Sequence, residues 1–408
     1  MMSLALALAA GTLAITDVRI EIGDGTVIER GTVVVAGAKI IAVGASVVVP
    51  PGAQRIDGSG RVLTPGLVAT GAQLGISEIG LEPATVDSAV DVALWGTAVP
   101  AFRAIDGFNP LSPRIAIDRE QGVTSVVVTP TGSLIHGQGF FVETSGALSC
   151  GAAARRAAMF ASFGGAAKGA GGGARGGVTL RLREIFDDVR FLQKNRAAYD
   201  KASARPLALA RVHLEAMIDV VTGKLPMVFT VDRASDIQEL LAFAKEQKIK
   251  VTINGGAEAW LVKDQLAAAK VPVILTPSNG QPWGFDALHA RDDSAALLHA
   301  AGVVLVISAG ATDLGTTRLR QEAGIAVAYG LPREAALEAI TRTPARAFGL
   351  ADIGTIAIGK RANLVLWTGD PLETTTSAEL VLIGGERTSL DTRQKQLSKK
   401  YQQHESQR

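Results

Sequence analysis

The chain has 408 residues, 47% apolar and 20% charged, so it can bury a large core and reads as folded, with two to three domains expected from length. Its 41 basic and 39 acidic side chains leave a net charge of +2, and no basic stripe interleaved with aromatics occurs, which argues against a nucleic-acid partner. No uninterrupted apolar window of about 18 residues exists, so no membrane span is expected, and the single cysteine, Cys150, excludes an internal disulfide.

The start, MMSLALALAAGTLA, is apolar and rich in small side chains. It is similar to the back half of a secretory signal without the basic front region. Residues 1–12 are therefore expected to be a signal remnant, and a periplasmic or secreted setting follows, with a cytoplasmic one left open. Residues 13–62 hold short β-branched runs (LAITDVRIEIG, GTVVVAG, KIIAVGA) broken by Gly-Asp-Gly and Ala-Gly turns. The far end repeats that chemistry in ANLVLWTG and AELVLIGGERT. Neither block makes a stable sheet alone. Residues 13–62 and 351–390 are thus expected to pair into one composite β-sandwich, followed by a solvated tail over 391–408.

Between them, apolar runs alternate with helical patterns. TSVVVTP, LPMVFTV, KVTING, VPVILTP and GVVLVISAG read as strands buried on both faces, hence parallel. RASDIQELLAFAKEQK, EAWLVKDQLAAAK and DSAALLHAAG read as helices. The fold class is α/β, a (β/α)8 TIM-like barrel over 63–350, with its site on the loops that follow the strands. A helix is expected at 147–160, which makes Cys150 a buried small residue. The glycine-rich GGAAKGAGGGARGG (164–177) reads as a mobile surface loop or, functionally, a lid. It lacks the Gly-Lys-Ser/Thr ending of a phosphate loop.

Three segments carry a family resemblance: VLTPGLV (62–68), LPREAALEAITRTPARAFGL (331–350) and IGTIAIGKRANLVLWTGDPL (353–372). They look like the entry to the barrel, its last helix and the return to the sandwich in the amidohydrolase superfamily, and the subgroup resembled includes imidazolonepropionase-like and secreted amidohydrolase-like proteins. The resemblance implies hydrolysis with one or two zinc or similar divalent ions, held by a His-x-His pair after the first barrel strand, further histidines after the fifth and sixth, and an aspartate after the eighth. Carried over residue by residue, those positions fall on Gly71 and Gln73, Thr230, Gly255 and Gly310. None is a ligand residue, so no metal cofactor is expected.

Other polar residues sit near the strand ends as a candidate pocket: Glu78, His136, Asp232, Asn254, Glu258, Trp283 and Asp313. Asp232 reads as an N-cap for the helix that follows, Glu258 as the start of the next helix, and His136 as a residue of a glycine-containing loop. His213, His289 and His299 fall in helical patterns and His404 in the tail; no two histidines share metal-ligand spacing. Ser308 follows a strand, as a nucleophile would, with no histidine base in the local sequence. Three readings stand. The first is a non-catalytic superfamily member. The second is a hydrolase of carbon-nitrogen bonds with a rebuilt site (Gln73, Glu78, Asp232, Glu258, Asp313). The third is a small-ligand binding protein with Asn254, Trp260, Asn279, Gln281, Trp283 and Phe285 around its pocket. The expected partners are a small molecule and either a second copy or an active relative.

Overall fold

The computed structural model describes residues 11–201, 205–310 and 315–405. The apolar start (residues 1–10), Asp313 and the side chain of His404 lie outside the described residues.

Five strands open the chain: β1 Thr12–Glu21, β2 Val27–Ala36, β3 Lys39–Gly44, β4 Gln54–Asp57 and β5 Val62–Pro65. Eight more, β6 Leu67–Ala72, β7 Val123–Val128, β8 Ile135–Glu143, β9 Arg155–Ser162, β10 Met227–Val231, β11 Val251–Gly255, β12 Val273–Leu275 and β13 Leu305–Ile307, form the barrel sheet in unbroken sequence order. The last three, β14 Leu364–Trp367, β15 Ala378–Ile383 and β16 Glu386–Arg387, return to the first group. There β14 pairs with β5, so both chain ends share one hydrogen-bonded sheet, with β1 contacting β2, β4 and β5. Because β5 belongs to that sheet, the crossing into the barrel falls at Gly66 and not at 63. The principal helices are α1 Pro113–Glu120, α2 Arg175–Lys194, α3 Ala234–Gln247, α4 Lys263–Ala269, α5 Ser294–Ala300, α6 Leu319–Ala328, α7 Arg333–Ala339, α8 Arg342–Ala347 and α9 Arg393–Glu405. The tail is therefore helical over α9 and is tied back by Lys395 to Glu120.

The barrel differs from a uniform parallel one. β6 and β7 are parallel, as are β9 to β13, but β8 runs antiparallel to both neighbours. The helix expected at 147–160 is a short turn at Leu148–Cys150 and then β9, and His136 lies on β8, not in a loop. Packing overrides local preference here. At Gly139 a Cβ would sit 2.5 Å from the Val128 carbonyl oxygen and 2.3 Å from the Phe160 ring, so the glycine admits β8 between its neighbours. The ladder between β6 and β7 slips between Ala69 and Ala72, a bulge that contains Gly71 at φ +73°. Ser308, just past β13, donates to the Thr70 carbonyl at 2.8 Å and draws the two ends of the barrel sheet together.

The glycine-rich loop is pinned. Arg175, at the start of α2, bonds Asp236 at 3.0 Å and also Asp286, so it clasps the loop to α3 and to the segment after β12.

Candidate functional site at the barrel mouth

Alternation along the strands sets what faces the barrel interior. Val68, Val127, Phe160, Val228, Ile274 and Val306 pack in one buried cluster, with Ala345, Phe348, Leu350 and Ile353 beside them. Two positions further along each strand come Thr70, Thr129, Ser162, Thr230, Thr276 and Ser308. The register sets Ser162 beside Thr230, and Thr230 beside Asn254. The apolar interior thus ends in a belt of hydroxyls and one amide. Above it opens a cavity of about 250 Å³ lined by Thr129, Thr131, Thr230, Asn254, Thr276, Ser308 and the residues discussed below.

The belt is partly self-satisfied. Asn254 donates its amide to Thr230 Oγ1 at 3.2 Å, and Ser308 Oγ accepts from the Gly310 amide at 3.1 Å. Thr129 Oγ1 is buried and has no protein partner among the described residues, although its residue lines the cavity.

Among the described residues, two ionisable groups face the cavity. His136 is buried, with Nε2 2.9 Å from Ser162 Oγ and the ring also bonded to the backbone oxygens of Pro130 and Ser133. Burial pushes its pKa down to about 4, so the ring is neutral near pH 7. Asp232 is pushed up to about 6, first by burial and then by the nearby Asp286 and Glu258 charges. Its Oδ1 accepts from the Ala257 amide at 3.2 Å.

Several expected roles change. Asp232 does not cap α3, whose N-cap is Arg233 with no side-chain bond. Glu258 does so across space: one carboxylate oxygen accepts from the Ala234 amide at 3.0 Å, and the other takes the His289 amide at 3.1 Å and lies 2.9 Å from its ring Nδ1. His289 therefore sits in a loop rather than a helix, and Glu258 is fully engaged away from the cavity lining. Glu78 accepts from Asn109 at 3.2 Å and from Ser112 at 2.7 Å, and neither it nor Gln73 lines the cavity. Trp283, 61% exposed, stands at the cavity wall with Asn279, while Trp260 is turned away to the His289 carbonyl at 2.7 Å. Of the positions carried over from the resemblance, Gly71, Thr230, Gly255 and Gly310 line the cavity. The sequence reading missed Thr129, Thr131, Ser162 and Thr276. The signal was present for Thr129, Ser162 and Thr276, since each follows an interior apolar residue by two positions at a strand end, while Thr131 lies two residues further along its loop.

A divalent transition ion needs three or more imidazole, thiolate or carboxylate donors. Among the described residues no such group of three His, Cys, Asp or Glu exists. At the cavity itself, among the described residues, there are one imidazole with its nitrogens engaged and one carboxylate, surrounded by neutral hydroxyls and amides. This donor set does not fit the ion.

Comparison with known proteins agrees with the fold. The model of the Amidohydrolase family matches residues 309–388. The chain is similar to a crystal structure of an amidohydrolase from Thermotoga maritima MSB8, at 26% identity and a TM-score of 0.82, covering 92% of this chain and 99% of that one. An adenosine deaminase from Xanthomonas campestris with bound zinc shares the fold at 18% identity and a TM-score of 0.55, over 97% of this chain and 98% of the other. Among curated proteins, the amidohydrolase tasK of Hapsidospora irregularis is 23% identical over 371 residues, 83% of this chain. The chain spans 37% of that relative's length. The barrel sheet, the sheet shared by both chain ends and these matches together support a place for the chain in the amidohydrolase superfamily.

Proposed function

We propose that this protein is a non-catalytic member of the superfamily whose barrel mouth holds a small, uncharged polar molecule. One observation carries the reading. Three of the five positions where the superfamily resemblance puts a metal ligand are glycines with φ between +73° and +96° (Gly71, Gly255 and Gly310). Histidine and aspartate rarely adopt that backbone. At Gly255 a Cβ would lie 2.6 Å from Asp232 Oδ1, and at Gly71 it would press on Ser308 Oγ at 3.2 Å. At these three positions the backbone, as well as the missing side chain, disfavours a ligand residue.

What remains favours a neutral guest. Among the described residues the lining offers hydroxyl and amide groups with Asp232 as its one carboxylate, the buried Thr129 hydroxyl lacks a protein partner, and Trp283 supplies an aromatic wall. A site of this kind orients a polar molecule without activating water. A rebuilt hydrolytic centre draws less support, because Glu78 and Glu258 are committed to structural bonds. Partnership with an active relative, and a periplasmic or secreted setting, belong to the same proposal.

Metal analysis of the purified full chain, after incubation with zinc, manganese and iron salts and desalting, tests the first half. The expected content is far below one ion per chain; one tightly held ion per chain would sink the reading. A thermal-shift screen tests the second half. Neutral sugars, polyols and amides are expected to raise the melting temperature, with the gain lost in Asn254→Leu.

A further inference from the structure

The barrel end opposite the mouth carries an open groove of about 1690 Å³. It runs beneath the entrances of β10 to β13, along the C-terminal ends of α3 and α4 and past α8. Its rim holds Lys224, Lys245, Lys248, Lys250, Lys270 and Arg346, all exposed, and none has a carboxylate partner among the described residues. The acid on the rim, Glu338, is already paired with Arg342. The floor is aliphatic, with Leu241, Ala268 and Val304, and the rim presents no exposed Phe, Tyr or Trp to stack on a base. Two of the lysines occupy left-handed backbone, Lys248 and Lys270, both at φ +54°, where glycine is the ordinary helix terminator. A cation is thus presented at the end of each helix in spite of its backbone.

The complementary surface is on the same chain. Residues 62–102 contain no lysine or arginine but carry Glu78, Glu82, Asp87 and Asp91. Within them a strap after β6, on the mouth side, holds out Ile79, Leu81 (96% exposed), Leu94 (79%) and Trp95 (61%). Apolar side chains interleaved with carboxylates suit an aliphatic floor rimmed by cations.

We propose that the acidic strap of one copy docks in the basic groove of the next, head to tail. The two surfaces lie at opposite ends of the barrel, so the contact is heterologous and leaves a strap free at one end and a groove at the other. Binding by unpaired surface charges is screened by salt.

Light scattering and sedimentation of the full chain at low and high salt test this. Association that grows with concentration is expected at about 20 mM salt and is expected to vanish near 0.5 M. Two variants, one with Leu94→Lys and Trp95→Lys, the other with Lys245→Glu, Lys248→Glu and Lys270→Glu, are each expected to be monomeric with an unchanged melting curve. Mixed together, they are expected to form a 1:1 complex that grows no further, since one retains only the groove and the other only the strap. A wild type that stays monomeric at low salt overturns the proposal. So do variants that still self-associate, or folded variants that fail to join when mixed.

Discussion

Asp232 and His136 face one cavity and are driven toward neutrality from opposite directions, which gives their titrations opposite signs in stability. Asp232 has a folded pKa of about 6 against an unfolded value near 4. Between those values the native state binds more protons, so stability falls as pH rises through the window and then stays level. Asp118, buried and also near 6, adds a drop over the same range, so a variant must isolate the cavity carboxyl. Asp232→Asn keeps the acceptor for the Ala257 amide and removes the charge. It is expected to gain about 1–2 kcal/mol at pH 7 and almost nothing at pH 4, read by urea unfolding at both values. His136 behaves oppositely, with a folded value near 4 against about 6.5 unfolded. Its contribution is complete above pH 6.5 and is lost as pH falls toward 4, up to about 3 kcal/mol. His136→Gln is expected to flatten the acid side of the stability profile; an unchanged slope between pH 6.5 and 4 would show that the ring is not buried and neutral.

At the scale of elements, the strands with continuous apolar runs were legible, because burial on both faces leaves β10, β12 and β13 little else to be. β8 and β9 were not. Gly137 and Gly139 disguise the first as a loop, and the alanines of RRAAMFAS disguise the second as a helix. The cavity was half legible for the same reason. The steps from Val228 to Thr230 and from Val306 to Ser308 show a period of two reaching the mouth. The bulge at Gly71 follows from ladder register, which no local pattern encodes. The cap on α3 was invisible because it comes from Glu258, 24 residues later. Glu258 stands below its ordinary value: burial opposes this, but bonds from Ala234 and His289 outweigh it. Glu258→Ala strips the first turn of α3 of its acceptor and releases the 289 loop. It is expected to cost about 1–3 kcal/mol by denaturant unfolding, with faster amide exchange in the first turn of α3; exchange there at the wild-type rate would mean another group supplies the cap.

At the scale of the whole molecule, one buried side chain packs into both sheets. Trp367 lies on β14 in the sheet shared by the chain ends, yet it is fully buried within the core of the barrel helices. Its Nε1 donates to Thr64 Oγ1 on β5 at 2.9 Å, and the Arg320 guanidinium of α6 lies 4.9 Å from its ring. Gly122, just before β7, has φ +83°, and a Cβ there would meet the indole at 2.2 Å, so the loop is shaped around the ring. A second tie, Arg333 of α7 to Asp370 at 2.6 Å and to Glu21 of β1 at 3.0 Å, bridges the same two bodies. With the indole packed into both, neither sheet should unfold alone. Trp367→Ala is expected to cost about 3–5 kcal/mol. In the wild type, near- and far-ultraviolet dichroism are expected to report one coincident transition. In the variant the two signals should separate, because the sheet of the chain ends loses its anchor while the barrel keeps its own core. Coincident curves in the variant, or a loss below about 1 kcal/mol, would show that the two bodies are held together by something other than this ring.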